Sequence, residues 1–249
     1  KGSVMKAGQM LSLYGQYFLP PEAVDVLSGL QDDTTPVDWS FLQPVIEDQL
    51  SAARRAELDI DERPIAAASL GQAHRARRKS DGLELVIKIQ YPGVADAIDS
   101  DIRTLTQIVR LARLVPKGME LNAIMEEVRE MIYREVDYDR ELRMTREFST
   151  RLEGDERYVV PQVFPEYSTE TVLVTSYEAA HHVQSEAVQD LDQARRDEIG
   201  RSALDLFFRE FFVWGIVQTD PHFGNYKIRL REDGPDQMVL LDFGATREF

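Results

Sequence analysis

Two short stretches near the C-terminal end of this 249-residue chain hold side chains able to do chemistry. In Asp220-Pro221-His222-Phe223-Gly224-Asn225, an aspartate and an asparagine are separated by four residues. After them a strand-like run, Met238–Leu241, ends in Asp242-Phe243-Gly244. Asp220 can orient or deprotonate an attacking hydroxyl or water. Asn225 can offer an amide oxygen to magnesium, and Asp242 a carboxylate to a metal held on β- and γ-phosphates. That is a donor set for magnesium-dependent phosphoryl transfer. Either motif alone is an ordinary Asx turn; the two in this order, separated by one strand, argue against so plain a role.

Phosphates also need a cation. Lys88, in Val86-Ile87-Lys88-Ile89, stands among β-branched strand residues, as does the phosphate-contacting lysine of protein kinases, which also use the Asp-x-x-x-x-Asn spacing. Strand alternation puts Val86 and Gln90 on the Lys88 face, so it does not by itself separate a functional lysine from a solvated one. Order and distance relative to the aspartate motifs carry the assignment. A further carboxylate group lies on a helical stripe, Leu121, Ile124, Val128, Met131, Glu135, Tyr138 and Leu142, spaced by three and four. Glu135 falls on its apolar face, which costs several kcal/mol unless the carboxylate is paired or the helix splays it toward water. With Asp137 and Glu141 close by, at least two cations are wanted, and Lys88 is the natural partner of one of these carboxylates. Upstream, Pro64-Ile65-Ala66-Ala67-Ala68-Ser69-Leu70-Gly71 stands where a glycine-rich phosphate loop would be, with alanine methyls where glycines would let amides approach phosphate.

The elements that must position these groups follow from periodicity and turn residues. Helix is expected from Gly2 to about Gly29, interrupted at Pro20-Pro21, then a linker at 31–36 and a helix over about 38–55. Strands are expected over about 57–90, strongest at Leu83–Gln90, and then helices at about 94–115 and 121–152. Short strands at 159–163 and 171–177 precede a buried helix, 193–214, whose Phe207, Phe208, Phe211 and Phe212 read as core. His181-His182 reads as an exposed pair, and Arg75, Arg77, Arg78 and Lys79 as a solvated hairpin tip. This order fits an α+β, two-lobed kinase-like fold better than a doubly wound sheet.

Composition removes several function classes. A net charge of −15 argues against nucleic-acid binding and a polybasic membrane anchor. With no cysteine there is no disulfide, thiol nucleophile or cysteine zinc site. No apolar run reaches the roughly 20 residues that span a bilayer. Lys1 opens without Met and Phe249 follows closely on Asp242, so the chain reads as a fragment with its C-terminal lobe truncated.

These pieces, in this order, resemble the UbiB/ADCK (AarF-like) family of atypical kinases over nearly the whole chain. The family's Lys-x-Gly-Gln motif matches Lys6-Ala7-Gly8-Gln9, and its alanine-rich loop matches Ala66-Ala67-Ala68-Ser69. The lysine context matches Val86 to Val94, and the Glu-x-Asp motif Glu135-Val136-Asp137. Gln218 precedes Asp220 where many bacterial members carry His, as in the mitochondrial-type branch. The resemblance implies ATP and magnesium as cofactors, Ala66–Ser69 and Lys88 at the nucleotide, Glu141 paired with Lys88, Asn225 and Asp242 on the metal and Asp220 as base. It also implies a lid over the cleft, built from Lys6, Gln9, Glu135 and Asp137. Three parts are expected: a helical extension (1–55), an N-lobe (56–178) and a partial C-lobe (179–249). So is a role in coenzyme Q synthesis or membrane lipid homeostasis, peripheral to a bacterial inner membrane or in mitochondria, with lipid or quinone-synthesis proteins as partners. The rivals are a small-molecule phosphotransferase, which has no use for a Lys-x-Gly-Gln helix, and a nucleotide-gated scaffold without turnover.

Overall fold

A computed structural model of the chain describes residues 2, 4–8, 35–111, 120–220 and 222–249. Gln9, the expected helix beyond residue 8 and the end of the 94–115 helix lie outside these residues. Residues 4–8 are helical, as expected. The 38–55 helix is divided in two. α1 (Trp39–Gln49) starts on Asp38, whose carboxylate accepts the Ser40 N–H, and α2 (Ala52–Ala56) starts on Ser51, whose hydroxyl accepts the Arg54 N–H.

The first sheet contains β1 (Leu58–Ala67), β2 (Gly71–Arg78), β3 (Glu84–Gln90) and β5 (Val172–Ser176), antiparallel in the order β1-β2-β3-β5. Leu85, Ile87 and Ile89 alternate onto one face of β3, where they are buried with Val172, Val174, Leu42 and Ile46. Lys88, at the even positions, stands on the other face. β2 and β3 approach closely at Gly71, where a Cβ would lie 2.4 Å from the Ile89 carbonyl oxygen. Helices α3 (Val94–Leu111) and α4 (Leu121–Glu135) form a second core, in which Ala7 of the N-terminal helical turn is fully buried.

The helix expected over 121–152 is broken. α4 ends at Glu135, and α5 (Tyr138–Arg151) restarts at Asp137, whose carboxylate caps the Arg140 N–H at 2.8 Å. An Asx cap competes with helix continuation, and β-branched Val136 beside it favours the break. The carbonyl freed at Val136 is taken by the Gln90 side chain at 2.5 Å, tying the end of β3 to the break.

The second sheet orders β4 (Tyr158–Val159), β9 (Gln237–Leu240), β8 (Tyr226–Arg229) and β6 (His181–His182). With α7 (Gln193–Phe208), after the short α6 (Glu186–Gln189), it forms a third core around Leu206, Ile228, Met238 and Phe243. α5 joins that core through Phe148, which packs at a tilt against Phe243 with 4.7 Å between ring centroids. β7 (Ile216–Gln218) pairs with β10 (Thr246–Glu248), bringing the chain before Asp220 beside the chain after Asp242. His181 and His182 are exposed, as expected. The Phe207/Phe208/Phe211/Phe212 reading is corrected: these rings are 44–71% exposed. Phe207 stacks on Phe211 and Phe208 on Phe212, with edge-on contacts between the pairs and a tilted contact from Phe211 to Phe249, along a surface ridge, because the helix turns Leu206 and Glu210, not the phenylalanines, toward the core.

A candidate nucleotide cleft between the two sheets

Lys88 lies between two carboxylates. Its Nζ is 2.6 Å from Glu141 Oε1 and 3.0 Å from Asp242 Oδ2. β3 presents the lysine, the first turn of α5 presents Glu141, and the end of β9 presents Asp242. The strand lysine is therefore half-buried and doubly paired rather than a free solvated cation. Its ammonium stands 5.5 Å from the centre of the buried Tyr138 ring, which closes the cluster from below. Burial pulls the Lys88 pKa down, but Asp242 and Glu141 outweigh it and hold it well above the ordinary lysine value. Burial and the Asp242 charge push the Glu141 carboxyl up to about 7 against the pull of Lys88. Burial alone would raise Asp242, yet Lys88 and the Gly244 N–H, 2.9 Å from its Oδ1, keep it below its ordinary value and ionised.

The alternatives left open by sequence resolve cleanly. Glu141, not Glu135, is the Lys88 partner. Glu135 meets Lys6 instead, with Nζ and Oε2 2.7 Å apart and the lysine buried. Burial raises the Glu135 carboxyl despite Lys6, and the Asp242 and Asp220 charges push the same way. Lys6 feels both aspartates as well, so the N-terminal helical turn hangs over the cleft. The turn also touches the alanine-rich hairpin: a Cβ on Gly2 would lie 2.2 Å from the Ser69 carbonyl oxygen. Asp137 does not join this pair; it is exposed and its Oδ1 caps α5. Ala66 and Ala67 complete β1, and the Ala68 N–H closes a tight turn onto the Gly71 carbonyl at 2.9 Å.

The catalytic-type loop is held by side chains. Asn225 Nδ2 donates to the Asp220 carbonyl at 3.1 Å and to its carboxylate at 3.2 Å. That fixes the amide and leaves its Oδ1 as the atom available to a cation. Gln218 Oε1 accepts the Asp220 N–H at 3.1 Å, and its Nε2 donates to the Asp242 carbonyl at 2.6 Å. One glutamine thus joins the two aspartate segments. Behind it Glu210, buried in a π-helical turn (Arg209–Trp214), accepts the Gln218 N–H at 2.9 Å.

Burial pushes the Glu210 carboxyl from 4.5 up to about 7. The folded chain therefore holds a proton that the unfolded chain has lost, and stability falls as pH rises through that window. Glu210→Gln keeps the acceptor and is expected to remove a slope on the order of 3 kcal/mol between about pH 4.5 and 7. Urea melts across this range check it; a slope unchanged in the variant assigns it elsewhere.

The donor set fits a magnesium-nucleotide. Among the described residues no cluster of three His, Cys, Asp or Glu could hold a metal by itself. Magnesium is usually held by one or two protein oxygens together with substrate phosphates, and Asp242 and Asn225 are such oxygens.

Comparison with known proteins agrees with this geometry. The ABC1 atypical kinase-like domain matches residues 29–249. The chain belongs to this family. It is 34% identical over its full length to zebrafish (Danio rerio) mitochondrial atypical kinase COQ8B, of which it covers 39%. To mitochondrial atypical kinase COQ8 of Saccharomyces cerevisiae it is 33% identical, covering 49%. A third relative, chloroplastic ACTIVITY OF BC1 COMPLEX KINASE 8 of Arabidopsis thaliana, is 33% identical over 98% of the chain, which covers 33% of it. The Mycobacterium tuberculosis protein Rv3197, solved with erythromycin, superposes with a TM-score of 0.70 at 28% identity, over 97% of this chain and 60% of that one. The chain thus spans less than half the length of these curated relatives. The kinase-like fold and the UbiB/ADCK resemblance both stand.

Two residues that hold the segments around Asp220 and Asp242 were not singled out by sequence: Glu210 through the Gln218 N–H, and Arg140 through the Gly244 and Thr246 carbonyls. Glu210 carries the signal that exposed Glu135, a carboxylate inside an apolar helical run. Arg140 carries none, because an arginine beside three other charged residues on a helix start reads as a solvated face.

Proposed function

We propose that the chain binds ATP with magnesium and supports phosphoryl transfer or ATP hydrolysis under a lid that admits no peptide. The observation that carries this reading is Lys88, held between Glu141 and Asp242 in the cleft that Lys6 and Glu135 roof over. Lys88 neutralises phosphate charge, and Glu141 holds it in place. Asp242 and Asn225 would hold the metal, which would neutralise charge on the transferred phosphoryl group. Asp220, anchored by Asn225 and Gln218, orients or deprotonates the attacking group. The alanine-rich hairpin covers the phosphates. In domain terms, residues 1–55 form the lid-bearing extension, 56–178 the lysine lobe and 179–249 the catalytic-loop part. The mitochondrial COQ8 relatives support a role in coenzyme Q synthesis. Membrane lipid homeostasis and peripheral attachment belong to the same proposal; among the described residues no helix is long and apolar enough to cross a membrane.

The test is to compare phosphate release and peptide phosphorylation, with and without lipid vesicles. Phosphate release is expected, with peptide phosphorylation far below the ~1–100 per second of open kinases. Gly2→Ala places a methyl 2.2 Å from Ser69 O and is expected to lift the turn and raise peptide phosphorylation several-fold. Peptide turnover at ordinary kinase rates in the wild type would contradict the lid.

A further inference from the structure

The segment after Asp242 is gripped from α5. Arg140, on the first turn of that helix, donates from one guanidinium nitrogen to the Gly244 carbonyl at 2.9 Å and from the other to the Thr246 carbonyl at 2.6 Å. The carbonyl between them, Ala245, accepts the Thr219 hydroxyl at 2.5 Å and the Thr219 N–H at 3.2 Å. The fully buried Thr246 folds its own hydroxyl back onto the Phe243 carbonyl at 2.9 Å. Three successive carbonyls are thus engaged, two by α5 and one by the chain entering the Asp220 loop.

The neighbour of Arg140 is Glu141, which holds Lys88. One helical turn therefore makes both connections that phosphoryl transfer in this architecture requires, the lysine–glutamate pair and the placement of the Asp-Phe-Gly aspartate. The two side chains point to opposite partners, so a shift of α5 loosens both at once. The backbone packs closely at Gly244: a Cβ there would lie 3.3 Å from Asp242 Oδ1 and 3.6 Å from Glu141 Oε2. In switched kinases, the segment beyond this aspartate is ordered when an added phosphate pairs with arginine. Here the arginine reaches backbone carbonyls directly, with no anion between. Two parallel charge-assisted hydrogen bonds from a planar guanidinium fix orientation as well as distance.

We infer that Arg140 is a positioning residue that locks Asp242 to α5, so that the magnesium site is assembled without modification of the segment that follows it. This rests on the magnesium-nucleotide reading above.

The experiment titrates magnesium against phosphatase-treated protein and a fluorescent ATP analogue, for wild type, Arg140→Lys and Arg140→Met. The phosphatase-treated wild type is expected to show saturable, magnesium-dependent binding. Arg140→Met is expected to raise the magnesium needed for half-saturation about tenfold, with metal-free nucleotide binding unchanged. Arg140→Lys, which keeps the charge and one donor, should fall between the two. A clamp that merely supports the fold would lower the melting temperature while leaving the magnesium dependence of the folded fraction alone. That result in either variant overturns the inference, as does wild-type magnesium dependence in Arg140→Met. Wild-type binding that needs prior phosphorylation also overturns it. If the wild type binds the analogue with no magnesium dependence before or after phosphatase treatment, the nucleotide reading itself fails.

Discussion

Lys88→Met is expected to destabilise the chain by about 3–5 kcal/mol, the usual result of removing one partner from a buried ion pair. The Glu141 side chain is 3% exposed and Asp242 lies on the other side of the same ammonium, so the substitution leaves two carboxylates facing each other across an apolar gap. For a chain of this size the melting temperature should fall by roughly 10 °C or more. The pH dependence has a definite sign. Glu141 already sits near 7, and without the lysine burial and Asp242 raise it further. A carboxyl whose folded pKa exceeds its unfolded value stabilises the fold only while protonated. Glu141 is raised to about 7 in the wild type too, so below that pH both folded proteins hold its proton, and the deficit should grow as pH rises above about 7. Lys88→Met/Glu141→Leu should recover most of the loss, because the stranded charge is gone and Leu fills part of its volume. If the double variant is less stable than Lys88→Met, the penalty is not an unpaired carboxylate and the account of this cluster is wrong.

The parts of the site legible in sequence were those whose chemistry fixes residue type and spacing together. Asp220, Asn225 and Asp242 are of this kind, and so is a carboxylate on an apolar stripe. Glu135 had to find a cation, and it found Lys6. Which carboxylate would meet Lys88 was not readable from periodicity, because the stripe was traced through one continuous helix. The Asp137 cap breaks that helix and re-aims α5, and this is what turns Glu141 toward β3. The Glu-x-Asp resemblance implied a lid role for Asp137, yet its carboxylate is taken by the backbone N–H of Arg140. The phenylalanine ridge misled for a related reason. Apolar composition shows that a helix has a face to cover, but Glu210 shows which side the core takes: its carboxylate is buried because it holds the Gln218 N–H. Arg140 was invisible, since its partners are backbone carbonyls 104 and 106 positions away. The strands of the first sheet were readable, with β3 starting one residue later than expected, whereas the short β6, β7, β8 and β10, which form only by pairing with distant segments, were not.

In the proposed function this cleft takes ATP through a cation held by Asp242. Asp242 is kept ionised by Lys88 and by the Gly244 N–H, so it supplies full negative charge where a cation would bind. Asp242→Asn preserves shape and the carbonyl oxygen but removes that charge, and a neutral amide is a far weaker ligand for a hard divalent ion. Lys88 retains Glu141 in the variant, so the fold and the lysine's hold on phosphate should survive. The decisive measurement is titration calorimetry of ATP into wild type and Asp242→Asn, each with and without magnesium. The account predicts that magnesium strengthens ATP binding to the wild type and makes no difference to the variant, while metal-free affinities stay alike. Unchanged magnesium-ATP affinity in Asp242→Asn would contradict it.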